Sequence, residues 1–170
     1  MTHFEIKKAL AEMVLLVDTR EQDTKALHRR IDSTGLPYER VKLDAGDYSA
    51  SCPLLSLKGA VAIERKMSAD ELALCFGKER DRFEREFERA KASGTRIYLL
   101  VENTSFENLY AHKYRSLLSP NAFIASIFAW MTRYDCRIIL CKAETTGKII
   151  RDILYRELKE RLESEEDDGS

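Results

Sequence analysis

The sequence contains no apolar run long enough to cross a bilayer. Its longest, Ala122 to Met131, is interrupted by Ser126 and falls well short of a membrane-spanning helix. The opening stretch, MTHFEIKKALAEM, carries no long apolar segment after its charges, so it does not read as a secretory leader. A cytosolic protein is the expectation. Soft-metal patterns are also missing: Cys52, Cys75, Cys136 and Cys141 form no CxxC pair and have no histidine at ligand spacing. They read as free thiols in a reducing compartment. His3, His28 and His112 are scattered, which leaves no zinc site to propose. Finally, there is no excess of one charge. A formal net charge of −1 argues against a protein that coats nucleic acid by bulk electrostatics.

What is present is a chain of 170 residues, 44% hydrophobic and 34% charged, the composition of a soluble globular domain. Nothing in it suggests a repeat or a linker, so one domain over 1–162 is expected. Residues 163–170 form an acidic, disordered tail on this reading, and without it the body is slightly basic. Helices are expected over 3–12, 24–33, 78–92, 120–133 and 147–162. Met13-Val-Leu-Leu-Val17, Ala60-Val-Ala-Ile63 and Ile97-Tyr-Leu-Leu-Val101 are continuous apolar runs of the kind that make buried strands. Tyr38 to Leu43, Tyr48 to Ala50 and Arg137 to Cys141 add further strands. Ser68-Ala-Asp-Glu71 reads as a capping box opening another helix. Buried strands separated by helices predict a three-layer α/β domain with a central mixed sheet flanked by helices.

Three strings carry chemistry: Val17-Asp18-Thr19-Arg20-Glu21, Gly46-Asp47-Tyr48 and Ile63-Glu64-Arg65-Lys66. In each, a carboxylate stands where an apolar strand stops. Such a group costs free energy unless a cation or a set of hydrogen bonds compensates it. Several of them converging would repel one another unless a divalent ion sat among them. Oxygen ligands without histidine or thiolate favour magnesium, with manganese able to substitute, over zinc. Strand alternation sends Glu64 and Lys66 into one cleft and turns Arg65 away, leaving its backbone carbonyl near the cation. Asp47, from a neighbouring strand, could complete the site. Such an assembly suits phosphodiester hydrolysis, with Lys66 orienting water or offsetting charge. Any one string has a plainer explanation, since Asp after Gly is common turn chemistry and Glu-Arg-Lys an ordinary solvated run.

Taken together, VDTRE, GDY, IERK and the trailing Ser68-Ala-Asp70 resemble the nuclease domain of the XPF family of structure-specific endonucleases. That family's hallmark is GD, a gap, then ERKxxxD, here Gly46-Asp47, Glu64-Arg65-Lys66 and Asp70. The resemblance runs from about Leu15 to about Tyr155. It implies the restriction-endonuclease-like fold of the PD-(D/E)XK superfamily and metal-dependent cleavage of DNA. It further implies metal ligation by Asp47, Glu64 and the Arg65 carbonyl, catalysis by Lys66, and an acidic cluster that takes in Asp18, as a further ligand, and Glu21. Asp70 lies in or just behind that cluster, although it would favour the helix dipole in any case. Arg20 is a charge partner or a phosphate contact.

Lys78, Arg82, Arg85 and Arg89 recur at helical spacing as a basic stripe, with Phe76, Phe83, Phe87 and Ala90 as the apolar face that would anchor it. The stripe is either a salt-laced surface or an element that holds DNA phosphates without reading sequence. Phe123 to Trp130 is apolar enough to be a core helix or a dimer face, so a homodimer or heterodimer through the late helices is expected. Relatives append helix-hairpin-helix modules, whereas this sequence reads as a standalone nuclease domain. The function expected is a DNA endonuclease acting in repair, recombination or phage DNA processing. The alternative is a non-catalytic partner or DNA-binding subunit of the same fold. The compartment would be cytoplasmic in a bacterial, archaeal or phage setting and nuclear in a eukaryote. Thr-Thr-Gly-Lys148 lacks the rest of a nucleotide-binding loop.

Overall fold

Strand β1 (Val14–Asp18) forms on the first apolar run of the chain. In this computed structural model, which describes residues 1–167, it pairs parallel to β2 (Tyr38–Val41) and antiparallel to β3 (Tyr48–Cys52). A two-residue strand, β4 (Leu55–Ser56), runs antiparallel to β3. It was not foreseen, because two residues display no period. With β5 (Val61–Lys66), β6 (Arg96–Glu102) and β7 (Arg137–Cys141), the strands make one seven-stranded mixed sheet ordered β2-β1-β3-β5-β6-β7, with β4 beside β3. β6 and β7 are parallel. The flanking helices are α1 (His3–Ala11), α2 (Lys25–Thr34), α3 (Ala69–Phe76), α4 (Arg80–Ala92), α5 (Phe106–Tyr110), α6 (Pro120–Tyr134) and α7 (Thr146–Asp167). This is the α/β architecture the strand and helix pattern led to.

Two compact units make up the chain, one of Met1–Ala62 with the chain from Gly147 on, the other of Ile63–Thr146. No break in composition marks the division. In the first, Leu15, Val17, Tyr48, Ala50 and Leu57 are wholly buried. Helix α7 contributes Ile150, Leu154, Leu158 and Leu162, each four residues from the last and each 0% exposed. That spacing lines one helical face with leucine and isoleucine, which explains why the terminal helix folds with the N-terminal unit. It runs to Asp167, five residues past the Leu162 where the apolar pattern stops. Ion pairs such as Arg156–Glu160 at 3.4 Å and Lys159–Glu163 lace its surface. Of the acidic tail expected over 163–170, residues 168–170 lie outside the described residues.

The second unit is built around Trp130, which is 0% exposed on α6. The rings of Phe76, Phe83, Phe87 and Tyr134 stand 4.9, 5.8, 6.5 and 5.6 Å from it. The guanidinium groups of Arg80 and Arg133 cover the indole at 4.9 and 5.5 Å. Ser119 caps α6 by accepting from Ala122 N–H, and Pro120 occupies the first turn, where its missing N–H costs nothing. Helix α4 begins at Arg80, so Lys78 lies in the turn between α3 and α4 rather than on the helical stripe. The capping box on α3 is also modified. Ser68 accepts from Glu71 N–H, but the Glu71 carboxylate reaches past the cap to Met67 N–H. Helix α5 was missed because its five residues barely complete a turn.

Gly147, at the start of α7, accounts for its place in Thr-Thr-Gly-Lys by packing. A Cβ there would stand 1.7 Å from Ser33 Oγ and 2.7 Å from the Arg30 carbonyl oxygen. Gly147→Ala is therefore expected to destabilise the protein by about 1–3 kcal/mol, read as a lower urea midpoint. Adding Ser33→Ala should recover only part of the loss, because the backbone contact with Arg30 remains.

Candidate active site

Strand β5 opens with Val61, Ala62 and Ile63, all at most 3% exposed, and ends with three charged residues in a row. Alternation along the strand separates those charges. Glu64 and Lys66 share one face, where Lys66 Nζ donates to Glu64 Oε1 at 2.9 Å with side chains only 18% and 12% exposed. Arg65 takes the other face and pairs with the carboxylate of Glu102 at the end of β6. Glu102 is 2% exposed and was not singled out from the sequence. The signal was available, for it is a carboxylate that ends an apolar strand, as Asp18 and Glu64 are.

The Glu64–Lys66 face opens on a polar cavity of about 240 Å³. Four carboxylates line it, those of Glu64, Glu71, Glu79 and Glu86, against the cations Lys66 and Arg82. Burial opposes the Lys66 charge, but the Glu64 carboxylate beside it holds the ammonium well above the ordinary lysine range. Burial also pushes the neighbouring Cys75 thiol up to about 11, so at neutral pH the attraction on Lys66 comes from carboxylates alone. Lys66 is thus held as a cation beside Glu64. The donor set is hard oxygen, which fits magnesium or manganese. Among the described residues, no three His, Cys, Asp or Glu side chains are gathered closely enough to hold a metal by themselves. Magnesium does not need such a cage, since it commonly binds one or two carboxylates and completes its shell with water and substrate phosphate.

Asp18, Arg20, Glu21 and Asp47 belong to the N-terminal unit. Asp18 is 2% exposed at the end of β1, and both of its oxygens are engaged. Oδ2 accepts from Arg20 Nε at 2.6 Å, and Oδ1 accepts from Leu43 N–H at 2.9 Å. Arg20 also donates to the Leu43 carbonyl at 2.8 Å, so the pair grips both polar groups of one residue. Asp18 N–H in turn donates to the Asp47 carbonyl at 2.9 Å. Gly46, at φ 72°, makes the left-handed turn that precedes Asp47, a conformation that a side chain would strain. Arg40, which the sequence reading passed over, donates to the carbonyls of Thr19 and Glu21 and so holds the turn after β1. Tyr48, wholly buried, accepts from Arg30 at 2.7 Å.

Asp70 takes up a different task. Its Oδ1 accepts from the N–H groups of Arg115 and Ser116 at 2.9 and 2.8 Å, which ties the loop before α6 to the first turn of α3. On α4, Phe83, Phe87 and Ala90 are buried while Arg82, Arg85 and Arg89 are exposed, as the amphipathic pattern required. Only Arg82 of that stripe lines the cavity, and it pairs with Glu86 at 3.5 Å.

The ERCC4 domain matches residues 17–153 of the chain. Among solved structures, XPF from Aeropyrum pernix superposes with a TM-score of 0.64 at 18% identity, over 90% of this chain and 69% of that one. XPF from Aeropyrum pernix in complex with DNA gives 0.61 at 19%, over 89% and 65%. At such identity the structural likeness speaks for the fold. No curated protein matches the chain.

Burial pushes the Tyr48 phenol up to about 12 from an ordinary 10.0, with Arg30 working in the opposite direction. The folded chain therefore holds this proton more tightly than the unfolded one. The corresponding stability is intact below the unfolded value and is lost as the pH climbs through about 12. Tyr48→Phe should cost about 0.5–1.5 kcal/mol at pH 7 and flatten that alkaline loss, read by urea titrations from neutral to alkaline pH. Separately, Asp70→Ala should raise amide exchange at Arg115 and Ser116 by about tenfold, the effect of losing charge-assisted bonds.

Proposed function

Because the chain belongs to the ERCC4 domain family, we propose that it is a divalent-metal-dependent DNA endonuclease. It would hydrolyse phosphodiester bonds in branched or otherwise structured DNA during repair, recombination or phage DNA processing. The observation that carries this reading is the half-buried Glu64–Lys66 pair, directed into a cavity of oxygen ligands. Asp47 and Glu64 are assigned as metal ligands with the Arg65 carbonyl, on the strength of the motif they share with the family. Magnesium, or manganese in its stead, would polarise the scissile phosphate and lower the pKa of a bound water. Lys66, kept charged by Glu64, stabilises negative charge on the phosphate or orients the attacking water. Asp18 and Glu21 complete the acidic neighbourhood of Asp47. Asp18 also fixes the end of β1 through Arg20 and Leu43.

Arg82 at the cavity rim, with Lys78, Arg85 and Arg89 beyond it, would contact phosphates rather than bases. A second subunit, identical or related, would cover the face where Phe106 and Phe128 stack at 6.0 Å, Phe128 being 47% exposed. A non-catalytic DNA-binding subunit is the second reading. It is favoured by the structural engagement of Asp18, both of whose oxygens are taken up by Arg20 and by Leu43 N–H.

One experiment separates the two. The protein is incubated with flaps, forks, four-way junctions and plain duplex in magnesium, manganese or EDTA. Wild type should cut at least one branched substrate only with metal. Asp47→Asn, Glu64→Gln and Lys66→Ala should keep the wild-type circular dichroism and lose about 10²–10³-fold or more in rate. Metal-dependent cleavage that all three variants retain would reject the assigned site, and binding without cleavage would establish the second reading.

A further inference from the structure

Leu117 is 96% exposed, more than any other large apolar side chain among the described residues. A solvent-facing leucine on a slack loop would be unremarked, but this loop is tightly built. His112 adopts φ 54°, a conformation that side chains favour little. Its ring stacks on Tyr114 at 4.3 Å, and its Nε2 lies 2.8 Å from the Ser116 carbonyl oxygen. The Tyr114 hydroxyl donates to the Leu118 carbonyl at 2.6 Å, and its ring meets Phe123 of α6 edge-on at 5.1 Å. Ser116 Oγ accepts from Leu118 N–H at 3.1 Å, and Asp70 holds two further N–H groups of the loop. Every one of these bonds fixes the backbone on either side of Leu117, and none draws its side chain inward. The loop is thus stiff, and its tip is apolar.

We propose that this loop is a wedge for DNA: Leu117 enters a base step at a branch or strand end while Lys113 and Arg115 hold the neighbouring phosphates. Both cations are exposed and precede the leucine, Arg115 by two residues and Lys113 by four. An exposed apolar side chain next to two exposed cations matches the surface of nucleic acid, an apolar stack beside a charged backbone. It matches a second copy of the chain poorly, since a two-fold contact would bring these cations against their own copies. Unstacking costs least where pairing is already broken, so the wedge would favour branched over continuous duplex. Asp70 connects the two functions, because it adjoins Glu71, which lines the cavity holding Glu64 and Lys66. The proposal rests on the endonuclease reading and names its substrate class more closely.

The test measures binding in EDTA, where cleavage cannot interfere. Wild type, Leu117→Ala and Leu117→Phe are titrated against a fork and a plain duplex. Each DNA carries 2-aminopurine, at the branch in the fork and centrally in the duplex. Wild type should raise the fluorescence of the fork probe, and Leu117→Ala should abolish most of that rise. The alanine variant should also bind the fork about three- to tenfold more weakly, with duplex binding little changed. Leu117→Phe should restore the signal. An alanine variant with the wild-type signal and the wild-type preference for the fork overturns the wedge and leaves the endonuclease reading standing. A change in sedimentation with no change in DNA binding overturns it in favour of a contact between copies. A wild type that binds neither DNA overturns the wedge, and cleavage in magnesium then decides the endonuclease reading on its own.

Discussion

Alternation along β5 is the constraint from which the site follows. Three charged residues end a strand whose preceding residues are buried, and each of those charges would be costly there without a partner. A period of two sends Glu64 and Lys66 one way and Arg65 the other, and each face supplies the missing counter-charge. The cleft thereby receives a carboxylate and an ammonium held 2.9 Å apart, while the opposite pair ties β5 to the end of β6. A shift of one residue in that strand would reverse the arrangement and point the arginine into the cleft. The part-buried Arg65–Glu102 pair therefore bears on register more than on net stability, since ion pairs withdrawn from water gain little over apolar packing.

The same division of labour recurs in the other motif strings. Asp18 and Arg20 grip both polar groups of Leu43. Tyr48, next to Asp47, is a buried acceptor for Arg30. Asp70, the last residue of the ERKxxxD string, holds backbone N–H groups of the loop before α6. A motif that looks like a list of reacting groups is thus partly a list of supports. The spacing between its parts reflects strand ends and helix starts, which positions chemistry on rigid elements.

Much of this was legible beforehand. Continuous apolar runs located β1, β5 and β6, because a strand covered on both faces needs no alternation. Pro120, preceded by Ser119, marked the start of α6, and the phenylalanines of α4 marked its buried face. Short elements escaped: two residues of β4 and five of α5 are too few to carry a period. Lys78 was assigned to a helix that starts two residues later, since periodicity does not see the turn at Gly77. Arg40, and the partner that Glu102 takes, escaped for a different reason. Their roles are pairings with residues distant in sequence, and no local spacing encodes those.

Local pattern thus sufficed for the fold class, the family and the strand that carries Glu64 and Lys66. It sufficed because alternation, capping and strand ends are short-range consequences of backbone geometry. Which partner each charge would find was settled only when the chain closed on itself. The Arg65–Glu102 pairing, the Asp70 bonds to the loop, and the approach of Gly147 to Ser33 all span tens of residues. They depend on distances in space that the order of residues does not state.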